Sequence, residues 1–438
     1  MKKQDNEVKS AKGFEVVNPN AAGIDIGSRE YYVAIPPDKN AVSVRKFETF
    51  TEDHEKIAKW LKENLITTVA MESTGVYWIP LFEYLESQGF EVILVNARHV
   101  KNLRGKKTDV QDCQWLQKLH TYGLLQGAFR PDDEYCVLRG LLRHRKNLIE
   151  KASKEVQHMQ KALTQMNLKL QNVISQITSI TGMRIIRDIV SGITDAHSLS
   201  KHRDPRCKKS EEEIRKSLEG NYRKEHLFSL KQSLEAYDFY QKQIEDCDKE
   251  MESYLDNLSG LSGGSDSNNK AVEEKLKQIC GVDLTKIEGI GVDTVLTILA
   301  EVGPNVNEFP TVKHFASWLR LCPGNQISGG KVLHSKTQPS NNRLRTALKM
   351  SAATLHRSQT GLGAYFRKIK SRAGTSKAIT ATAHKLARYI YAMLKNGQEY
   401  TSQSIEEYET KFKEKTLRYL HKKAQLLGFE LQPIPSLT

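Results

Sequence analysis

The stretch AGIDIGSREYYVAIP, residues 22–36, decides the fold. Its apolar, β-branched and aromatic residues flank Gly27-Ser28, which predicts two short strands around a turn. Asp25 stands inside the first of them between Ile24 and Ile26, and a carboxylate amid apolar neighbours is costly unless something compensates for it. Working outward, Ala41–Phe50 reads as a third strand. A helix is expected from Glu52 to Leu65, with Ile57, Trp60, Leu61 and Leu65 on one side. A buried strand follows at Thr67–Glu72, a helix from about Tyr77 to Ser87, a strand at Phe90–Asn96 (FEVILVN) and a helix over Thr108–Leu125. Three strands followed by alternating helices and strands predict an α/β layered domain ending near residue 130.

The whole chain has 438 residues, enough for two to three domains. Mean hydropathy is −0.53. No stretch approaches the ~18 apolar residues of a membrane span, and the N-terminal MKKQD lacks the apolar core of a signal peptide. The six cysteines are scattered without a C-x-x-C pair, which argues against a disulfide framework or a zinc site and fits a reducing cytoplasm.

The formal charge is +14, and nearly all of it lies after residue 280, where 23 Lys and Arg face 11 Asp and Glu. Between Glu308 and Glu399 there is no acidic residue, against 16 basic ones. A run this long, in a segment with helical apolar patterning, predicts a polyanion-binding surface, with nucleic acid the default partner.

Between the α/β domain and this basic third, apolar residues recur in steps of four and three from Leu138 to Ile180, broken only at Arg145. That predicts a long coiled-coil seam. A second run extends from Leu230 to Leu258. The two could pair with each other or with another chain. Gly182–Glu225 reads as a helical elbow between them, and an oligomerisation arm is the expected role of residues 131–258. Residues 259–280, opening with SGLSGGSDSNN, read as a flexible linker. A basic domain over 281–398 follows. Its segment IEGIGVDTVLTILAEVG (287–303) has the look of a helix-hairpin-helix turn, whose amides can hold a phosphate. Further helices are expected at Thr311–Leu319, Asn342–Arg357 and Thr375–Lys395, with a polar loop from Cys322 to Ser340 and a helical tail over 399–438.

Four acids stand out in the first domain: Asp25 in the first strand, Glu72 ending the fourth, and Asp109 and Asp112 three apart on one helix face. With the first and fourth strands adjacent and the last helix laid across them, all four converge. Carboxylate clusters hold hard divalent cations, and two such ions assist phosphoryl transfer. Taken singly, Asp109 reads as a helix N-cap, Glu72 as a salt-bridge partner and Asp25 as a turn anchor.

The strand order with Asp25, Glu72, Asp109 and Asp112 resembles the RuvC-like ribonuclease-H fold. The block MESTGVYWIPLFEYLESQGFEVILVNARHVKNLRGKKTDVQDCQWL (71–116) looks like the DEDD domain of the bridge-RNA-guided insertion-sequence transposases, the insertion sequence 110 family, related to the Piv DNA invertase. KIEGIGVDTVLTILAEVG (286–303) and FASWLRLCPGNQISGGKVLHSKTQPSNNRLRTAL (315–348) are similar to their second domain. The resemblance implies Mg²⁺ or Mn²⁺ at the four acids, a homo-oligomer (dimer or tetramer), and DNA strand cleavage and exchange in a prokaryotic cytoplasm. It also implies guidance by a structured bridge RNA that pairs with donor and target DNA.

Next to Gly329-Gly330, Ser328 has a backbone able to approach a phosphate that Lys331, Arg343, Arg345 and Lys349 could neutralise. From residue type alone it is a loop serine, since a hydroxyl is a poor nucleophile without activation, and Ser335 and Ser340 compete with it. The resemblance implies that Ser328 attacks DNA, forms a phosphoserine link and works beside the carboxylates of a different protomer. The main alternative is a metal-dependent, RuvC-like structure-specific nuclease that uses water and leaves Ser328 idle. An actin-like sugar kinase shares Asp25-x-Gly27-Ser28 but needs a second phosphate loop and an adenosine pocket, and this sequence shows neither. A non-enzymatic scaffold would leave the buried acids unexplained.

Overall fold

The computed structural model describes residues 15–73, 75–95, 108–260 and 269–432. The chain divides between Arg130 and Pro131 into two units.

The first unit is a five-stranded mixed sheet in the order β3-β2-β1-β4-β5. Its strands are β1 (Ala21–Ile26), β2 (Glu30–Ala34), β3 (Val44–Glu48), β4 (Thr68–Glu72) and β5 (Glu91–Val95). β1, β2 and β3 form an antiparallel meander, while β4 lies parallel to β1 and β5 parallel to β4. This is the connectivity of a ribonuclease-H-like fold. Helices α1 (Thr51–Glu63) and α2 (Ile79–Ser87) cover one face, and α3 (Asp109–Thr121) covers the other. Side chains alternate between faces at period two. Ile24, Ile26, Val69 and Met71 enter the α1/α2 core with Ile57, Leu61, Leu81 and Leu85, whereas Ala70 packs with Leu116 of α3.

The second unit opens with α4 (Asp133–Gln165), continues through short helices α5 (Leu170–Val173), α6 (Ile180–Ser191), α7 (Ala196–Ser200) and α8 (Glu211–Ser217), and returns along α9 (Lys224–Ser259). α4 and α9 pack antiparallel against each other, so the two heptad runs pair within the chain. Tyr254 donates to the Glu134 carbonyl at 2.8 Å, and Arg145, the polar break in the seam, pairs with Asp248 of α9.

The expected seam to Ile180 is corrected. α4 ends at Gln165 because Asn167 adopts φ +61°, with Leu168 N–H donating to Leu163 O and Asn167 N–H to Thr164 O. These two bonds make a Schellman stop. Leu168, Leu170, Ile174 and Ile177 then turn into a core with Ile185, Ile186, Ile189 and Leu218 of the elbow. An elbow core buries them as well as a longer rod would.

Most of the Ser259–Asn269 stretch, residues 261–268, lies outside the described residues. The linker expectation for 269–280 is corrected, because these residues form α10 (Asn269–Cys280). Leu276 is buried there, and the Lys275 ammonium, also buried, meets Glu252 at 3.6 Å and Asp256 closer still.

The basic region contains α11 (Val292–Val302), α12 (Val312–Trp318), a hairpin of β6 (Gln326–Ser328) and β7 (Lys331–His334), α13 (Arg343–Thr354), α14 (Gly361–Ala373), α15 (Thr375–Asn396) and α16 (Ile405–Leu426). Phe315, Phe366, Leu344, Leu348, Leu386 and Ile390 form its interior. Arg143 of α4 grips buried Glu301 of α11 at 2.9 Å, fastening the helical hairpin to this region. Gly289, in the turn before α11, has φ +84°, and a Cβ there would lie 2.9 Å from the Ser351 carbonyl oxygen. Its glycine is required for conformation and packing alike. Among the described residues no helix is long and apolar enough to cross a membrane.

Candidate active site

Asp25 and Glu72 continue adjacent parallel strands one position past the paired Ile24 and Met71. By strand parity both leave the α1/α2 core and face α3. α3 begins there: Thr108 is its N-cap, accepting from Gln111 N–H at 3.3 Å, so Asp109 is the first helical residue and not the cap. That overturns the bland reading of Asp109 and leaves its carboxylate, with that of Asp112, in the first helical turn, where the helix dipole favours negative charge.

The four acids share one electrostatic field. Asp25 is pushed up to about 6, first by burial and then by Asp109, Glu72 and Asp112. Among the described residues no three ligand-type side chains close to the spacing of an ion's coordination shell. Asp109, Glu72 and Asp112 each repel the ionised form of Asp25. An all-oxygen set of this charge fits a hard divalent cation, which would relieve that repulsion.

Gly23 determines how closely α3 can lie on the sheet. A Cβ there would fall 2.3 Å from Gln117 N and 2.5 Å from Cys113 O, so only glycine admits the helix backbone. Polar fasteners hold the far end of α3. His120 Nε2 and Thr68 Oγ1 are 2.8 Å apart, and Asn18 Nδ2 donates to the His120 carbonyl at 2.8 Å. Burial lowers His120 to about 4, so the ring is neutral at physiological pH. Tyr32, opposite Asp25 in the β1–β2 register, also lies on the α3 face. Desolvation and Glu30 raise its phenol, and Asp109 adds to the shift. The sequence reading missed Gly23, Thr68, His120 and Tyr32. The available signal was parity, since Ala21, Gly23 and Asp25 share a face on which the first two are small.

Ser328 ends β6 opposite Lys331, at the tip of the hairpin. Gly329 and Gly330 have φ +53° and +76°, the two left-handed residues of a type I′ turn. The polar loop expected over 322–340 is thus an ordered hairpin, with Gly324 N–H donating to Lys336 O at 3.1 Å. Ser328 and Lys331 are exposed, while Arg343 and Lys349 are half-buried. Burial, with the Arg345 charge behind it, lowers Lys349.

Arg345 requires correction. It is 7% exposed and donates to Gln338 O at 3.0 Å and Thr337 Oγ1 at 3.3 Å. Its guanidinium is occupied in pinning the hairpin's return to α13, because it sits on the inward face of that helix beside Leu344 and Leu348.

Two family models match the chain. One, described as a transposase of the DEDD IS110 type, covers residues 22–168, and the other, described as the transposase IS116/IS110/IS902 family, covers residues 283–367. No curated protein matches it. The first match spans the sheet with all four acids and the second spans the hairpin with Ser328. Together they cover more than half of the residues, and the chain belongs to the IS110 family of transposases, enzymes that cleave and rejoin DNA.

Proposed function

We propose that this transposase exchanges DNA strands through a covalent phosphoserine at Ser328, assisted by divalent metal at Asp25, Glu72, Asp109 and Asp112. The reading is supported by Asp25 and Glu72 lying on the α3 face of adjacent strands and by Asp109, Glu72 and Asp112 all raising the Asp25 carboxyl. Those residues would hold Mg²⁺ or Mn²⁺, which when bound supplies activation of an attacking oxygen and stabilisation of a departing one. Asp109 and Asp112 are held toward the sheet by the glycine contact and the His120 fastener. Ser328 is presented on a turn whose two glycines leave its flank open to a phosphodiester, with Lys331 beside it to offset phosphate charge.

In the exchange, the Ser328 hydroxyl loses its proton and bonds to phosphorus as the phosphorus–oxygen bond to the deoxyribose breaks. The departing oxygen takes up a proton as a free hydroxyl. Attack by a hydroxyl of another strand reverses the step and restores serine, so rejoining needs no external energy source. Family membership supports a homo-oligomeric assembly and a bridge RNA pairing with donor and target DNA.

The test incubates the protein with metal, its co-purified RNA and element-end DNA, then denatures the mixture and maps any protein–DNA adduct by mass spectrometry. A phosphoserine adduct at Ser328, abolished in Ser328→Ala together with cleavage, is expected. Undiminished cutting by Ser328→Ala assigns the chemistry to water instead. Sequencing the co-purified RNA tests guidance separately, which fails if no RNA has a loop matching the element's flanks.

A further inference from the structure

We infer that the C-terminal helix α16 is an additional clamp for duplex DNA, contacting the phosphate backbone without regard to sequence. The base of this helix is firmly held. Lys286 pairs with Glu399 at 2.9 Å, Tyr400 donates to Glu288 at 2.6 Å, and Gly361 N–H donates to the Gln403 carbonyl at 2.8 Å. Lys385 lies over the rings of Tyr365 at 4.6 Å and Tyr408 at 5.4 Å, and Lys368 lies against the Phe412 ring. Beyond that anchor the helix runs on to Leu426 with no side chain buried.

Residues 410–429 carry six Lys and Arg and a single acid, Glu414. Lys411, Lys415, Arg418 and Lys422 follow one another at helical spacings of four, three and four, so they form one straight row. The row spans about 17 Å at the helical rise. All four side chains are exposed. Like charges at this spacing destabilise a helix that no packing supports. Glu414, 3.7 Å from Arg418, offsets only one of them. A polyanion laid along the row removes the repulsion. Beside the row stands the exposed Tyr419, while the Phe412 ring is covered by Lys368, and one open ring is not the series of stacking platforms that holds single-stranded nucleic acid. A straight row without such platforms fits the regular backbone of a duplex. Leu417 and Leu420 of the same helix lie on its other side and, with Leu427 just past its end, offer the competing occupant, a second copy of the chain.

The test measures binding of the full-length protein to labelled duplex DNA of arbitrary sequence in EDTA, so that neither metal nor Ser328 contributes. The variant carrying Lys411→Gln, Lys415→Gln, Arg418→Gln and Lys422→Gln keeps good helix formers at every position. It is expected to bind at least about tenfold more weakly near 100 mM salt, with a salt slope shallower by three to four. Its melting temperature and oligomeric state are expected to match wild type. A Leu420→Gln, Leu427→Gln variant is expected to keep duplex affinity and oligomeric state. Wild-type affinity and slope in the four-site variant overturn the inference. So does a loss confined to single-stranded RNA, or a loss of oligomer in the leucine variant that carries duplex affinity with it. Undiminished DNA cleavage by Ser328→Ala with this result intact would count against the proposed mechanism alone.

Discussion

Asp25 and Glu72 extend parallel neighbours one position past the paired Ile24 and Met71, and both face the helix that carries Asp109 and Asp112. Three separate chain segments thereby bring four carboxylates into one field, which adds to burial in pushing the Asp25 carboxyl up to about 6. Two strand registers and one helix start are all that this requires.

The raised Asp25 value gives a pH dependence of known sign. Its folded value, about 6, exceeds the ordinary 3.8, so the folded state binds the proton more tightly than the unfolded chain does. Metal-free stability therefore falls as pH rises from about 4 to about 6 and is flat above. Asp25→Asn is expected to remove that slope. It should stabilise the metal-free protein at pH 7 by roughly 1 kcal/mol, after allowance for solvent screening of a partly exposed group. Thermal melts of both proteins at pH 5 and pH 7 in EDTA check this.

Gly23→Ala forces a methyl group into the α3 backbone. Overpacking of this kind costs about 1–3 kcal/mol, and the helix must lift from the sheet to relieve it. Loss of stability together with loss of DNA cleavage is expected, whereas Gly140→Ala, in α4 where nothing lies within 4 Å of the added carbon, is expected to spare cleavage.

The strands and helices of the first unit were legible because each has a clean period, two for β1 and β4, and apolar positions at helical spacing for α1. The stop of α4 was not, because the heptad pattern runs straight through Asn167, and only a left-handed residue with two carbonyl partners marks the end. Among the candidate residues, Asp25 and Glu72 were readable from polarity inside apolar strands, and Asp109 and Asp112 from their spacing of three at a helix start. The burial of Arg345 was not, since a basic residue in a basic segment gives no sign of which helix face it occupies. Gly23 went unread because its role concerns a helix about ninety residues away in sequence.

Arg345→Ala separates a structural from a phosphate-binding role. Removing the guanidinium leaves the Gln338 carbonyl and Thr337 hydroxyl without their donor and opens a cavity in α13 packing. A stability loss of about 1–3 kcal/mol is expected, with the salt slope of DNA binding unchanged. Lys331→Gln, by contrast, is expected to leave the melting temperature alone and to make that slope shallower by about one.

Gly330→Val tests presentation of Ser328. A β-branched residue at φ +76° costs at least about 1–2 kcal/mol of backbone strain and misdirects the turn. Adduct formation at Ser328 should fall sharply while divalent-metal binding to the first unit is unchanged. Gly330→Asn, a residue that tolerates the left-handed region, should restore much of the adduct.

The most direct measurement is calorimetric titration of Mn²⁺ into the wild-type protein and into Asp25→Asn, Glu72→Gln, Asp109→Asn and Asp112→Asn. One carboxylate-rich centre predicts saturable binding that weakens in every one of the four variants, most of all in Asp25→Asn. Equal Mn²⁺ affinity in wild type and Asp25→Asn would contradict it, because Asp25 is the acid on which the fields of the other three converge.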